Sequence, residues 1–320
     1  MTSTRLAILD DYQNVAKGFA PWQSLEARSV EITTFNRPFG SPEETVAALT
    51  GFDAVIAMRE RTPFPREVLQ KLEKLQLLVT TGMANAAIDL DAAREKNIVV
   101  CGTSGSPTAA PEHTWALLLA FARDIPAQES ALRSGQWQTS VGFELAGKTL
   151  GILGLGKIGH RIAGYGRAFG MDVIAWSPNL REDTASAAGA RRVTKQQLFA
   201  ESDIVTLHAR LSERSKGVVG EKELRLLGPD GVLINTARGA LVDQNALVDA
   251  LKYRWIRGAA LDVYDIEPLP ANHPLLSAPN TVLSPHLGYV TTESYTRFYR
   301  EALEDVVAWL DGLPLRTLAG

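Results

Sequence analysis

Three side chains that could act together on an anionic substrate follow predicted strands in the second half of the 320-residue chain: Arg238, Glu267 and His286. The carboxyl ends of parallel strands meet at one edge of an open α/β sheet, so we expect the three to reach one crevice. A guanidinium can hold a carboxylate through two charged hydrogen bonds. A carboxylate beside a histidine favours the charged ring and fixes its orientation, which suits proton exchange near neutral pH.

Each of these residues has a plainer interpretation when taken alone. Most arginines are solvated, so Arg238 could form a surface ion pair, and a lone histidine such as His286 is more often structural. The combination of all three at successive strand ends favours chemistry.

A glycine pattern upstream of these residues predicts a dinucleotide site. The segment 149–163 reads as a buried strand, a tight turn and the start of a helix. Gly154 would permit the turn, Gly156 would let the backbone approach a pyrophosphate, and Gly159 would let the helix pack on its strand. The amides at the helix start would then face the phosphates. Such glycine turns also occur for geometric reasons alone. The dinucleotide interpretation therefore depends on the elements that surround the turn.

The residue that should select between NAD and NADP departs from the usual pattern. Ser177 stands where an Asp or Glu commonly binds the adenosine ribose, and Asn179 and Arg181 follow it. The missing carboxylate and the nearby arginine leave NADP open, whereas Ser177 and Asn179 could equally bind an unmodified ribose. The sequence therefore predicts NAD or NADP without a preference.

Strands and helices alternate along the whole chain. The first series has strands predicted at 6–9, 30–34, 54–57, 77–79 and 98–100, with helices at 42–49, 65–75 and 89–96 between them. The second series, after a helix at 112–123, has strands predicted at 150–153, 173–176, 204–207, 232–235, 259–263 and 282–284. Strands separated by helices indicate parallel sheets covered on both faces.

The predicted fold class is therefore α/β, with two doubly wound parallel-sheet domains. A Rossmann dinucleotide-binding domain, residues 102–287, would be inserted into a flavodoxin-like substrate domain made of residues 1–101 and 288–320. The chain should return to that domain through a helix at 292–310. We expect residues 316–320 to form a loose tail.

Composition excludes several classes of function. The net charge of -3 and 22% charged residues indicate neither a nucleic-acid nor a membrane partner. The single cysteine, Cys101, excludes an internal disulfide and a cysteine-built metal site, and no carboxylate–histidine cluster has metal-ligand spacing. With no signal-type segment at the start of the sequence, we expect a soluble cytoplasmic protein without a metal.

The stretch 128–147 carries few sheet signals and contains Trp137 and Phe143. It could be an arm that packs on a second subunit or an ordinary surface helix and loop.

Several motifs, in this order, resemble the NAD(P)-dependent D-2-hydroxyacid dehydrogenase family, which includes glyoxylate/hydroxypyruvate reductases, phosphoglycerate dehydrogenase and formate dehydrogenase. They are Glu112-His-Thr-Trp-Ala-Leu-Leu-Leu, the segment 145–159, Asn235-Thr-Ala-Arg-Gly239, Leu261-Asp-Val through Glu267-Pro268, and Pro285-His-Leu-Gly288. The resemblance covers nearly the whole chain and makes a homodimer the default assembly.

The resemblance implies a role for each residue of the site. Arg238 would bind the substrate carboxylate, His286 would exchange the proton and Glu267 would support the histidine. Asp262 and the backbone at 236–238 would seat the nicotinamide. The residues expected to contact the cofactor are Thr108, Gly154, Gly156, Lys157, Ile158, Gly159, Ser177, Asn179, His208, Thr236, Ala237, Arg238, Asp262 and His286.

The loop that corresponds to the family's substrate loop is atypical. Backbone amides near Met83 and Ala84 would hold the substrate carboxylate, and Arg238 and His286 are the other residues expected to contact the substrate. The usual glycine-valine-aspartate-asparagine run is replaced by Met83, Asn85, Ala86 and Ala87, so the support of this loop is unusual. His113, His160 and His273 are interpreted as structural or surface residues.

The expected reaction is hydride transfer between NAD(P)(H) and a 2-oxo acid or its D-2-hydroxy acid, catalysed by an oxidoreductase acting on the CH–OH group. Two alternatives stay open: an NAD(H)-sensing corepressor-like protein, and a formate- or phosphite-type dehydrogenase. The identity of the acid does not follow from the sequence.

Overall fold

The computed structural model describes residues 3–318 and divides the chain into two compact units. The first unit consists of the chain up to Ser106 together with the chain from Thr291 onward, and the second is Pro107–Val290. Each unit is built on its own parallel sheet, of five strands in the first and seven in the second. The predicted fold class, two doubly wound α/β domains, is confirmed.

The sheet of the first unit has the strand order of flavodoxin-like proteins, β2-β1-β3-β4-β5. Its strands are β1 (Thr4–Ile8), β2 (Val30–Thr34), β3 (Ala54–Ala57), β4 (Leu77–Thr80) and β5 (Val99–Gly102). The helices between them are α1 (Ala16–Phe19), α2 (Gln23–Glu26), α3 (Pro42–Leu49), α4 (Arg66–Leu69) and α5 (Leu90–Glu95).

The second unit begins with two consecutive helices, α6 (Ala109–Ala122) and α7 (Ile125–Arg133). Its strands are β6 (Thr149–Leu153), β7 (Asp172–Trp176), β8 (Arg191–Arg192), β9 (Ile204–Leu207), β10 (Val232–Asn235), β11 (Gly258–Leu261) and β12 (Thr281–Leu283). The helices between them are α8 (Lys157–Ala168), α9 (Glu182–Ala187), α10 (Lys195–Glu201), α11 (Glu221–Leu227) and α12 (Gln244–Lys252). The spatial order β8-β7-β6-β9-β10-β11-β12 is that of a Rossmann sheet with one further strand. The chain then returns to the first unit through α13 (Thr292–Leu310).

Side chains that alternate along the strands of the second sheet fill two separate cores. Leu150 and Ile152 of β6 and Ile234 of β10 belong to one core, while Leu153 and Leu233 belong to the other. Successive residues of a strand point to opposite faces, so helices must cover both sides of this sheet. This burial explains why the strands read as nearly continuous apolar runs.

The element bounds depart from the sequence predictions in several places. The helix predicted at 65–75 ends at Leu69, because Leu72 and Leu75 enter the core from turns closed by i to i−3 hydrogen bonds. The short helices α1 and α2 and the two-residue edge strand β8 were not predicted, since elements of four residues or fewer carry little periodicity.

The prediction of a loose tail at 316–320 is wrong for the described residues 316–318. The Gly102 amide donates to the Arg316 carbonyl (3.0 Å), and the Leu318 amide donates to the Val100 carbonyl (2.8 Å). The tail thereby pairs with the edge strand β5, and residues 319 and 320 lie outside the described residues.

Candidate active site

The loop after β10 is folded by a buried asparagine. The Asn235 side-chain amide donates to the Arg238 carbonyl (2.9 Å), and its Oδ1 accepts from the Ala237 amide (3.0 Å). One Arg238 guanidinium nitrogen donates to the Ala237 carbonyl (2.7 Å). The turn that carries Arg238 is therefore fixed by the last residue of its own strand.

Backbone contact joins this loop to the loop after β11. A Cβ added at Gly239 would lie 2.0 Å from the carbonyl carbon of Tyr264 and 2.5 Å from the Asp265 amide nitrogen. Only glycine allows this approach. The requirement accounts for the glycine that follows Arg238 in the Asn235–Gly239 motif.

Glu267 links the loop after β11 to the loop after β12. Its Oε1 accepts from the Tyr264 amide (3.0 Å), and its Oε2 lies 2.5 Å from Nδ1 of His286. Both side chains are largely buried, with 23% of Glu267 and 18% of His286 exposed. A proton on Nδ1 shared with this carboxylate makes Nε2 the ring nitrogen that can exchange a proton with a ligand.

His286 itself has a left-handed backbone, with φ of 55°. Only a few per cent of residues with side chains adopt this conformation, so neighbouring contacts must hold it. The next two amides provide them: Leu287 donates to Oδ1 of Asp262 (2.7 Å), and Gly288 donates to Oδ2 (2.9 Å). The Tyr289 ring lies edge-on to the imidazole, 5.5 Å between centroids.

The contacts thus connect the three predicted catalytic residues. Gly239 touches the backbone of Tyr264, the Tyr264 amide binds Glu267, and Glu267 binds His286. All lie within Pro107–Val290, at the carboxyl ends of neighbouring strands, as the sequence predicted.

Asp262 has a more extensive environment than the sequence suggested. Its side chain is 1% exposed, and besides the two backbone amides it accepts from the Ser284 hydroxyl (2.5 Å) and lies 3.0 Å from Nε2 of His113. Burial acts to raise the pKa of Asp262, but the contacts with His113, Ser284 and the Leu287 amide together outweigh it and the pKa is lowered. The contacts account for the buried charge.

His113 is the functional candidate that the sequence interpretation missed. Its Nε2 also lies 3.0 Å from Oγ of Ser284, so it joins residues that are 149 and 171 positions away in the chain. No spacing rule connects such distant residues. The only available signal was its place in the motif that begins at Glu112.

The glycine turn has the geometry that its sequence predicted. Gly154 has φ of 100°, and a Cβ there would meet the Ala209 amide nitrogen at 2.6 Å. A Cβ at Gly159 would lie 2.3 Å from the Gly154 carbonyl oxygen, so α8 packs directly on the turn. At Gly156, by contrast, a Cβ would meet nothing within 4 Å. Lys157 and Ile158 are exposed at the start of the helix.

Ser177 holds the glycine turn. Its hydroxyl oxygen accepts from the Leu155 amide at 3.0 Å. Asn179 is exposed in the following turn, and Arg181 forms a two-point ion pair with the carboxylate of Asp183. The cation that could meet a 2′-phosphate therefore already has an acidic partner.

The other residues expected to contact the cofactor lie mostly at the same edge of the sheet. The His208 imidazole, after β9, lies 2.9 Å from the Thr206 hydroxyl, and desolvation lowers the pKa of His208, which favours the neutral ring. Thr236 shares a 2.6 Å hydrogen bond with Thr114 of α6. Thr108 is half-buried immediately before α6.

The atypical loop after β4, in the first unit, is supported by its own asparagine. The Asn85 amide donates to the Arg59 carbonyl (2.7 Å) and to Thr80 Oγ1 (2.9 Å), and its Oδ1 accepts from the Ala87 amide (2.9 Å). Met83 and Ala84 are exposed between these anchors. Asn85 thus supports the atypical loop from within.

Residues 3–318 contain neither a group of side chains that could bind a metal ion nor a helix that could cross a membrane. The structure places no three His, Cys, Asp or Glu side chains of this range where they could share a metal ion. None of the described helices combines the length and apolar character needed to cross a membrane.

The family comparison assigns the second unit. Residues 115–288 match the model of the "D-isomer specific 2-hydroxyacid dehydrogenase, NAD binding domain". This match covers most of Pro107–Val290, including the glycine turn, Arg238, Glu267 and His286.

Curated relatives and solved structures agree with this match. The chain is 39% identical over 256 residues to a glyoxylate reductase of Aeropyrum pernix, covering 77% of this chain and 76% of that protein. It is 34% identical over 279 residues to a D-3-phosphoglycerate dehydrogenase of Archaeoglobus fulgidus, covering 86% of this chain but only 53% of that protein.

Among solved structures, a phosphoglycerate oxidoreductase from Vibrio cholerae O395 superposes with a TM-score of 0.91 at 37% identity, covering 97% of this chain and 99% of that one. The fold, the matched residues and these relatives agree. The chain therefore belongs to the D-isomer specific 2-hydroxyacid dehydrogenase family and is an NAD(P)-dependent oxidoreductase acting on a CH–OH group.

Proposed function

We propose that the protein reduces a 2-oxo acid to a D-2-hydroxy acid, or catalyses the reverse oxidation, with His286, Glu267 and Arg238 as its catalytic residues. The 2.5 Å contact between His286 Nδ1 and Glu267 Oε2 supports this proposal most directly. A carboxylate that fixes the ring and favours its protonated form prepares Nε2 to serve as acid in one direction and base in the other.

Each of the three proposed catalytic residues has a different role. Arg238 holds the substrate carboxylate through its planar donors. During reduction the carbonyl π bond breaks as the carbon accepts a hydride and the oxygen accepts the proton from the N–H bond of His286, so one C–H and one O–H bond form and the imidazole becomes neutral. Glu267 stabilises the protonated ring before transfer and retains its orientation afterwards.

The second unit fits a nicotinamide dinucleotide. Gly156 has open space where a side chain would stand, and the first amides of the twelve-residue helix α8 follow it. When bound, the cofactor supplies or accepts the hydride. We assign the contacts to Thr108, the glycine turn with Lys157 and Ile158, Ser177, Asn179, His208, Asp262 and the Thr236–Arg238 backbone.

The environment of Arg181 favours NAD over NADP. A 2′-phosphate would have to compete with Asp183 for the guanidinium and would be repelled by that carboxylate. Ser177, whose hydroxyl oxygen accepts from Leu155, offers no charge to discriminate between the two.

We assign substrate binding by the first unit to the exposed backbone near Met83 and Ala84. Residues 1–101 and 288–320 would form the substrate domain and 102–287 the dinucleotide-binding domain. The relatives named glyoxylate reductase and D-3-phosphoglycerate dehydrogenase make small 2-oxo acids the first compounds to test. We further propose a cytoplasmic homodimer.

A matrix of 2-oxo acids against NADH and NADPH tests the function, with glyoxylate and hydroxypyruvate included. We expect cofactor oxidation with at least one acid, preferentially with NADH, and a loss of at least about 100-fold in kcat for His286→Ala. Undiminished turnover by that variant would reject the proposed catalytic role. Cofactor binding without turnover across the matrix would reject the enzymatic proposal, and NAD reduction by formate or phosphite alone would reject the substrate class.

A further inference from the structure

The helix α6 carries two adjacent side chains that reach the loops of the active site. Thr114 binds the Thr236 hydroxyl at 2.6 Å, in the loop that leads to Arg238. His113 places Nε2 3.0 Å from Asp262 Oδ1 and 3.0 Å from Ser284 Oγ. One turn of α6 thus contacts the loops that follow β10, β11 and β12. His113 contacts the last two of these loops, and the loop after β12 carries His286.

Asp262 transmits this contact to the catalytic histidine. It is fully buried and accepts the amides of Leu287 and Gly288, the two residues that follow His286. Those amides fix the backbone beyond a residue whose own φ is 55°. Both carboxylate oxygens are used, so the loop keeps its two hydrogen bonds best when Asp262 is ionised.

His113 is well placed to keep Asp262 ionised. A buried carboxylate requires hydrogen-bond donors, and besides the two amides the described donors are His113 and Ser284. Tyr264 is a further titratable neighbour, and burial and then the charges of Asp262 and Glu267 raise its pKa, so the phenol stays neutral beside Asp262. His113 is therefore, with Ser284, a side-chain donor that stabilises the ionised carboxylate of Asp262.

We propose that His113 is a positioning residue for the reaction: through Asp262 it holds the Leu287–Gly288 backbone and thereby the orientation of His286. This inference rests on the proposed catalytic role of His286. His113 touches neither the substrate nor the cofactor in this proposal, and its contribution lies in keeping the neighbouring loop in one conformation.

Loss of His113 should have a signature in pH. The contacts lower the pKa of Asp262 against burial, so removing the donor lets burial raise that pKa. Once one oxygen of Asp262 is protonated, it is a poorer hydrogen-bond acceptor. The amide of Leu287 or Gly288 that it binds is then released. Activity should then fall on the acid side at a higher pH than in the wild-type enzyme, whereas the wild-type Asp262 stays ionised there.

The test compares His113→Ala, His113→Gln and His286→Ala in the full chain, using the 2-oxo acid with the highest turnover in the matrix. We expect His113→Ala to lower kcat by about 10-fold or more and to move the acid limb of the pH profile of kcat upward by about one pH unit. On the alkaline side of that limb, where Asp262 is ionised, NADH affinity should stay within about twofold of the wild-type value. His113→Gln, which retains a donor near the Nε2 position, should restore most of kcat and the wild-type acid limb.

An activity-independent readout is available because the chain has five histidines. The ring signal of His286 in NMR spectra, assigned by its loss in His286→Ala, should shift or broaden in His113→Ala. The matched control is Glu112→Gln, an exposed residue on the same helix, which should change neither the signal nor the kinetics. Ser284→Ala should reproduce the acid shift and replaces His113→Ala if that variant does not fold.

Two kinds of failure are distinguishable. Undiminished turnover by His286→Ala would refute the proposed catalytic role on which the inference depends. If His286→Ala is inactive but His113→Ala or its substitute keeps the wild-type profile and His286 signal, the positioning role alone is refuted. It is likewise refuted if kcat, NADH affinity and thermal stability fall together without rescue by His113→Gln.

Discussion

One oxygen of Glu267 accepts a backbone amide and the other faces His286, the proposed proton donor and acceptor. The bond from Tyr264 fixes Oε1, and Oε2 then faces His286 at 2.5 Å. In the proposed mechanism, a carboxylate in this place orients the ring and compensates the positive charge of the proton donor.

We expect Glu267→Gln to lower kcat by about 10- to 100-fold while changing KM for the acid by less than about threefold. The amide keeps the size of the side chain but removes the negative charge that supports the protonated ring. Steady-state kinetics at saturating cofactor measure this split. Glu221→Gln, on an exposed helix position, is the control, and an equal loss there would contradict a specific role.

Two glycines of the turn, Gly156 and Gly159, differ in the space that a side chain would have. A Cβ at Gly159 would overlap the Gly154 carbonyl oxygen, while a Cβ at Gly156 would meet no atom of the described residues within 4 Å. Replacing each glycine by alanine therefore distinguishes the glycine that folding requires from the glycine that cofactor binding requires.

Gly159→Ala should destabilise the protein by about 1–3 kcal/mol, because the helix must move away from the turn. Gly156→Ala should leave the unfolding of the ligand-free protein nearly unchanged but weaken NADH binding by about 10-fold or more, because the methyl group occupies the path of the pyrophosphate. Urea unfolding and fluorescence titration measure the two effects. Unchanged NADH affinity in Gly156→Ala would contradict the assignment of this turn.

At the scale of elements, α13 and the tail form a polar cluster with the edge strand of the first sheet. Arg316 donates through Nε to Asp305 Oδ1 (3.0 Å), through Nη1 to Glu304 (3.0 Å) and through Nη2 to the Glu301 carbonyl (2.6 Å). Within residues 3–318, Oδ2 of Asp305 is buried without a hydrogen-bond partner. Burial raises the pKa of Asp305 to about 7, despite the opposing effect of Arg316.

The sign of the resulting pH dependence follows from this raised pKa. The folded protein keeps the Asp305 proton up to about pH 7, whereas the unfolded chain loses it near the ordinary aspartate pKa of 3.8. Between these values the folded state binds more protons, so the contribution of Asp305 to the free energy of unfolding decreases as pH rises. Above about pH 7 both states are ionised and the contribution is constant.

We expect Asp305→Asn to remove this dependence. The free energy of unfolding of the wild type, taken relative to Asp305→Asn, should be lower at pH 8 than at pH 5 by on the order of 1 kcal/mol. Urea unfolding at the two pH values measures it. Asp249→Asn, which makes the same charge change at an exposed position, should show no such difference, and a wild-type advantage that grows with pH would contradict the assignment.

At the scale of the whole molecule, α7 and the loop after it expose apolar side chains. Ile125, Leu132 and Trp137 are 54%, 58% and 76% exposed. The loop is nevertheless ordered against the helix, because Gln128 binds the hydroxyls of Thr139 and Ser140. An ordered surface with this composition fits an interface between two copies of the chain.

We expect the wild-type protein to have the mass of two chains by light scattering, and the double variant Leu132→Lys, Trp137→Ser to shift toward the mass of one. Charge at one position and loss of the aromatic ring at the other remove apolar contact area from the interface. Leu313→Ser, which alters another exposed apolar residue, should remain dimeric. A monomeric wild type would contradict the proposed assembly.

The sequence by itself determined the architecture and the identity of the chemical groups. Alternation of apolar strands with helices predicted two parallel sheets, and the glycine turn predicted the close packing seen at Gly154 and Gly159. Residues after strands also lie where parallel topology requires, which is why Arg238, Glu267 and His286 could be grouped in advance. These features depend on local periodicity and on steric rules that hold within a few residues.

Only the tertiary structure decided which distant groups share protons and hydrogen bonds. The Asp262 carboxylate joins His113, Ser284 and the loop after His286, and Asn85 supports the atypical loop of the first unit. The tail proved to be an ordered partner of β5 because Arg316 meets acids of α13. Hydrogen bonds depend on distances of a few tenths of an ångström between residues far apart in sequence, and no periodicity of the chain encodes those distances.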